Sequence, residues 1–200
     1  MSEDLHGNVP DSFPVALLII DMINDLDFPD GERFLKPALA AAERIAALKK
    51  RAQKQNIPVV YVNDNFGRWR SDFSEVVEHV LKDGVRGQRL AELLHPAQDD
   101  YFVLKPKHSA FYATTLATLL EYLKPSQLII TGLSADVCVL FTASDAYMRE
   151  FKLFIPADCV ASGSDEHTKT ALAYMERVLS ADVRPSEELD LGALCAVNKS

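Results

Sequence analysis

Two features of this chain predict a doubly wound α/β fold: a mostly parallel six-stranded sheet with helices on both faces, a Rossmann-like three-layer sandwich. Short runs rich in Val, Ile and Leu recur at 15–20, 57–62, 101–104, 128–131 and 152–155. They are apolar throughout rather than alternating, as strands buried on both faces must be. Longer stretches of helical period separate them. Strands alternating with helices imply right-handed crossovers that cover a parallel sheet on each side.

Residues 1–13 form a loose lead-in to a first strand over 15–21, which is apolar until it ends on Asp21. Asp25, Asp27 and Asp30 follow closely, but the glycine is misplaced for a calcium loop and no distal Glu completes the set. The Ala- and Leu-rich run 36–55 predicts a long helix with Pro37 near its first turn, where a missing N–H is tolerated. Asn56 stops it, and 57–63 is the second strand. A polar and aromatic loop, 64–71, leads to helical periodicity over 73–82 and a short helix over 86–94. The third strand, 101–105, ends on Lys105, with Pro106 enforcing the stop. After a helix over 114–123, the fourth strand closes at Gly132. The period then becomes helical to about residue 149. A fifth strand at 152–156, a helix at 165–179, a sixth strand at 181–184 and a capping helix from 186 complete the expectation.

The chain of 200 residues, 48% hydrophobic, suffices for one domain spanning 1–200 around a large core. A net charge of −8 argues against a nucleic-acid surface. The longest apolar run, 15–20, is too short to span a membrane. The polar, acidic N-terminus matches neither a signal nor a transit peptide. Cys138, Cys159 and Cys195 form no metal-type pairs and no even disulfide framework, so a reducing cytoplasm is the expected compartment. No internal repeat is present.

In doubly wound sheets, ligands bind beyond the carboxyl ends of the strands, at the switch point of strand order. Asp21 and Lys105 end two strands, and Cys138 follows a third through the tight loop 132–136. Taken singly, each has a plain explanation: a cap, a solvated strand end, a buried inert cysteine. Together they supply a base, a cation and a nucleophile at one sheet edge. A cysteine in the first turn of a helix also sees unpaired amides and the positive dipole end, which favour thiolate.

Three stretches carry a family resemblance: Leu-Leu-Ile-Ile-Asp-Met-Ile-Asn-Asp at 17–25, Lys-Pro-Lys-His-Ser-Ala-Phe at 105–111 and Thr-Gly-Leu-Ser-Ala-Asp-Val-Cys-Val at 131–139. They resemble the motifs of the isochorismatase-like cysteine hydrolases, a superfamily that includes nicotinamidases and N-carbamoylsarcosine amidase. The resemblance implies a C–N hydrolase of small amide, carbamoyl or ureido compounds. Asp21 would be its general base, Lys105 the triad lysine and Cys138 the nucleophile. Lys107 competes for the lysine role, but Lys105 stands four residues before Ser-Ala-Phe. The family further implies a cis peptide between Leu133 and Ser134, an oxyanion hole from the amides of Ser134 and Cys138, and a homo-oligomer.

Nicotinamidases of the family hold a metal with an Asp-x-His pair after the second strand and a later His. Here that stretch is Asp64-Asn-Phe66, so the expectation is no metal and no cofactor, with His79 a surface helix residue. Asn24, Asn63, Phe66, Trp69, His108 and Phe111 are the expected substrate contacts, the loop 63–70 forming part of a metal-free pocket. Cys159 and Cys195 read as structural. Two other functions share the motifs. Vinyl-ether hydrolysis of isochorismate uses the Asp and needs no thiol, so the presence of Cys138 speaks against it. A non-catalytic binding or assembly module would not require all three residues.

Overall fold

The computed structural model describes residues 12–65, 72–82 and 84–196. In chain order the strands are β1 (Val15–Ile20), β2 (Val59–Asp64), β3 (Tyr101–Lys105), β4 (Gln127–Leu133), β5 (Lys152–Phe154) and β6 (Val160–Ala161). The helices are α1 (Gly31–Lys54), α2 (Phe73–Lys82), α3 (Gln88–Leu93), α4 (Leu116–Leu123), α5 (Leu140–Met148), α6 (Asp165–Leu179) and α7 (Leu191–Ala196). The strands run parallel in the order β3-β2-β1-β4-β5, with β6 also on β4.

β1 shows why the apolar runs do not alternate. Val15, Leu17 and Ile19 enter one core with α1, while Ala16, Leu18 and Ile20 enter a second core shared with α4, α5 and α6. A central strand must be apolar on both faces to serve two cores. Each fully buried Leu or Ile contributes about 1.5–3 kcal/mol, so a polar residue at either register would be costly.

Two boundaries differ from the sequence expectation. α1 starts at Gly31, five residues before 36, so Pro37 lies inside it. The chain turns into the helix through the bonds from Gly31 N to Phe28 O and from Arg33 N to Asp30 O, both 2.9 Å, and Gly31 leaves room for the Leu26 carbonyl oxygen, which a Cβ would meet at 2.1 Å. The sixth strand is Val160–Ala161 rather than 181–184, which contributes one bridge between Asp182 and Phe154. The cause is unequal strand length. β5 pairs only residues 127–129 of the seven-residue β4, and Pro156, which has no N–H to donate, interrupts it. The upper end of β4, Gly132 and Leu133, is then paired by β6.

The chain winds outward from β1 to β3, then crosses back to β4 on the other side of β1. The carboxyl ends of β1 and β4 therefore flank the switch-point crevice.

Candidate active site

Asp21 follows β1 directly, and its amide still donates to Val62 O at 2.8 Å. Its φ of 51° is left-handed, a conformation uncommon for a residue other than glycine, though Asp tolerates it better than most. Lys105 ends β3, two strands away from β1, about 10 Å at ordinary strand spacing. A long stem is needed to cross β2, and Lys105 is fully buried along that path. Its Nζ lies 2.9 Å from Asp21 Oδ2 and 3.5 Å from Cys138 Sγ, to which it donates. It also lies 3.5 Å from Oδ2 of Asp64, its register partner at the end of β2. The amide of Asp64 donates to Asp21 Oδ1 at 2.7 Å. The ends of β1, β2 and β3 and the segment after β4 thus meet around one ammonium.

The charges set one another. Burial pushes the Asp21 carboxyl up, against the opposing pull of Lys105 and the donors from Cys138 and Asp64. Burial alone would strip Lys105 of its proton, but Asp21, Cys138 and Asp64 outweigh that and hold it as an ammonium. The Cys138 thiol is pushed up to about 12, first by burial and then by the Asp21 carboxylate, with Lys105 opposing. This corrects the expectation that the helix start would favour thiolate. The thiol instead keeps its proton and shares a hydrogen bond with Asp21.

Ser134 is extended, and the Leu133–Ser134 peptide is cis, as the resemblance implies. A wide π-type turn, Ala135–Val139, then carries Cys138 into α5. Gly132 is required just before it. Its φ is 114°, and a Cβ there would meet Ile20 O at 2.0 Å. The turn is anchored from outside: Ser162 Oγ donates to Asp136 Oδ1 at 2.6 Å and accepts from the Asp136 amide at 3.3 Å. His167 of α6 sits 3.3 Å from the other Asp136 oxygen.

A cavity of about 430 Å³ opens over these groups. Asp21, Asp64, Ser134 and Cys138 line it, as do Asn24 and His108 among the expected contacts. His108 stacks on Phe141 with ring centroids 5.8 Å apart. Asn63 is elsewhere: it is fully buried and its Nδ2 donates to Ile23 O at 2.6 Å, so it holds the chain after β1. Phe111 also lies outside the cavity. It faces the second core, near Phe151 and under the guanidinium of Arg149 at 4.5 Å. Phe66 and Trp69 lie outside the described residues. Lys107 is exposed beside Tyr112, away from the thiol's partners.

Sequence reasoning missed the apolar wall formed by Leu26, Phe28, Phe34, Leu133 and Val137. Phe28 and Phe34 meet edge-on across the start of α1, with ring centroids 5.5 Å apart, a contact that no sequence pattern marks. Asp64 as a second partner of Lys105 was missed too. The signal there was that β2 ends on a charge, as β1 and β3 do.

Among the described residues, the donors near the thiol do not fit a metal of the nicotinamidase kind. Asp64 is within 3.5 Å of an ammonium, and His79 is turned to Asp25 at 3.3 Å. Among the described residues, no three His, Cys, Asp or Glu side chains converge as a metal would need.

The chain matches the family model of the isochorismatase domain over residues 15–188. It is 43% identical over 174 residues to the uncharacterized isochorismatase family protein YaaI of Bacillus subtilis, covering 87% of this chain and 95% of that one. It is 32% identical over 171 residues to the isochorismatase of Bacillus subtilis, covering 83% of this chain and 54% of that protein. Among solved structures, the nicotinamidase SaPncA of Staphylococcus aureus superposes with a TM-score of 0.66 at 25% identity, covering 86% of this chain and 98% of that one. N-carbamoylsarcosine amidase from Thermoplasma acidophilum does so at 0.62 and 26%, covering 88% and 98%. With the domain match spanning nearly the whole fold and the three strand-end motifs meeting in one crevice, the chain belongs to the isochorismatase family of hydrolases.

Proposed function

We propose that the protein hydrolyses the C–N bond of a small amide, carbamoyl or ureido compound through Cys138, Asp21 and Lys105. One observation carries the reading: Lys105 Nζ contacts both the Asp21 carboxylate and the Cys138 sulfur, and those two groups line the cavity. The nicotinamidase and amidase neighbours support amide chemistry.

In the resting site the proton stays on sulfur. As sulfur attacks the substrate carbonyl, its proton passes to Asp21 and a C–S bond forms. The carbonyl electron pair moves to oxygen, where the amides of Ser134 and Cys138 receive the oxyanion. Collapse breaks the C–N bond while Asp21 gives its proton to the departing nitrogen. Asp21 then takes a proton from water, whose oxygen attacks the thioester. Release of the acid breaks the C–S bond and returns the proton to sulfur. Throughout, Lys105 offsets whichever of Asp21 or Cys138 is negative.

A screen of small amides, carbamoyl and ureido compounds for ammonia release is expected to find a substrate. Cys138→Ala is expected to abolish its turnover; full activity in that variant sinks the reading. Vinyl-ether hydrolysis is the second reading, favoured by the 32% identity to an isochorismatase. It predicts that Cys138→Ser turns over isochorismate at the parent rate. Self-association is proposed on the family resemblance together with the exposed Phe141, Tyr147 and Met148 of α5. Light scattering giving the mass of one chain would refute it.

A further inference from the structure

We infer that Asp136 is a positioning residue for the reaction: held from outside by Ser162 and His167, it sets the turn that aims the Ser134 and Cys138 amides at the substrate oxygen. This rests on the thiol-hydrolase reading above and goes beyond it. The chemistry described there uses Asp21, Lys105 and the sulfur of Cys138, and gives the Asp136 side chain no part. Asp136 is not among the described residues that line the thiol's cavity. It opens instead into a separate cavity of about 440 Å³, walled in part by Leu140, His167 and Tyr174.

Two sets of bonds hold the turn. Inside it, the Ser134 carbonyl accepts from the Val137 amide at 3.1 Å and the Val139 amide at 3.0 Å, a pair that brackets Cys138. The outer bonds meet at Asp136. Its amide donates to Ser162 Oγ at 3.3 Å, the same hydroxyl donates to its Oδ1 at 2.6 Å, and His167 Nδ1 faces its Oδ2 at 3.3 Å. Ser162 is fully buried and is itself fixed. Its amide donates to Thr168 Oγ1 at 3.0 Å, and that hydroxyl donates to Ser164 O at 3.1 Å, at the start of α6. Ser162 also follows β6, which pairs with Gly132 and Leu133 immediately before the cis-linked Ser134. β6 and the start of α6 thus form a bracket to which Asp136 pins the turn.

Partial burial would raise the Asp136 carboxyl. The hydroxyls of Ser162 and Ser134, the Asp136 amide and His167 outweigh it and hold the group below the usual carboxylate range. An ionised acceptor strengthens the bond from Ser162. The sulfur is held by other partners, Lys105 Nζ at 3.5 Å and the Asp21 carboxyl. Loosening Asp136 therefore shifts the two amides more than the thiol, and oxyanion donors act only within a few tenths of an ångström of their proper distance.

Two probes of Cys138 separate these effects without a known substrate. Iodoacetamide alkylates the sulfur by displacing iodide and makes no oxyanion. Butyraldehyde adds reversibly: a C–S bond forms, the carbonyl pair moves to oxygen, and the thiol proton ends on that oxygen, which the two amides receive. Its affinity is read as protection of Cys138 from iodoacetamide, followed by peptide mass spectrometry. Asp136→Ala is expected to weaken protection about tenfold or more, a displaced donor costing less than the roughly 10²–10³ of a deleted one. Its alkylation rate without aldehyde is expected to stay near the parent's. Ser162→Ala removes the same bond from the other side and carries the test if Asp136→Ala does not fold. The same loss is expected there, and no further loss in the double variant. Asp136→Asn keeps an oxygen for the Ser162 hydroxyl and is expected to recover most of the protection. Parent-level protection in the folded Ala variants overturns the assignment and leaves the thiol reading standing. So does an alkylation rate that falls by the same factor as protection, since the whole site is then disturbed. A parent Cys138 that butyraldehyde fails to protect overturns the oxyanion site and this inference with it. A parent in which Cys159 or Cys195 is alkylated and Cys138 is not overturns the thiol reading itself.

Discussion

At the scale of single residues, a buried thiol with a proton acceptor beside it behaves differently from an exposed one. An ordinary cysteine titrates near 8.5, so its alkylation levels off around pH 9–10. Cys138 is held up to about 12 by burial and the Asp21 carboxylate. Its alkylation by iodoacetamide is therefore expected to keep rising through pH 10, and a plateau near pH 8.5 would contradict the charge arrangement. Lys105 lowers the thiol's pKa, so Lys105→Ala should slow alkylation further at any fixed pH. One pKa unit of added penalty corresponds to about tenfold in thiolate. Lys105→Arg keeps the charge but places a wide planar fork where Lys105 fits a compact ammonium between three partners, and is expected to fail as well. An alkylation profile identical in Lys105→Ala and the parent would remove the lysine from the network.

At the scale of elements, the parallel pairing of β1 and β4 at their carboxyl ends depends on one missing side chain. Gly132→Ala would push a Cβ to within 2.0 Å of Ile20 O in a backbone conformation unfavourable to it. A loss at the severe end, about 4 kcal/mol or more, is expected in urea denaturation. A second element depends on a buried ion pair far from the cavity. Lys49 of α1 reaches Asp100 at 2.5 Å, Tyr61 Oη at 3.0 Å and His95 O at 3.2 Å, and so ties α1 to the segment before β3. Lys49→Ala leaves the Asp100 carboxylate buried without its cation. That should cost about 3–5 kcal/mol while the rate of Cys138 alkylation by iodoacetamide stays put. An alkylation rate that shifts together with stability would mean the two regions are not independent.

At the scale of the whole molecule, what the sequence made legible was what repeats or terminates. The uniformly apolar β1 announced two cores because every second residue had to serve a different one. Asp21, Lys105 and Cys138 were legible because each closes or follows a strand, and strand order brings such positions together. The cavity wall was not legible. Leu26 and Phe28 lie on an irregular segment whose path depends on Arg86 bonding to Leu26 O from 60 residues away. Phe111 reads like a neighbour of the lysine motif, yet the turn after β3 sends it to the opposite core. The sixth strand was misplaced because two short strands share one edge of β4, a matter of length that local pattern does not encode.

The burial of Lys105 also makes it a clock. No part of its side chain meets solvent in the folded chain, whereas Lys107 two residues along is exposed. An amine-acylating reagent added to the native protein should mark Lys107 within its ordinary reaction time and leave Lys105 untouched. Modification of Lys105 then requires the strand ends to part, and its rate counts those openings directly. Comparing that rate with global unfolding in denaturant would tell whether the crevice breathes by itself or opens only when the sheet comes apart. Its complete protection on a timescale much longer than that of the exposed lysine is the expected result.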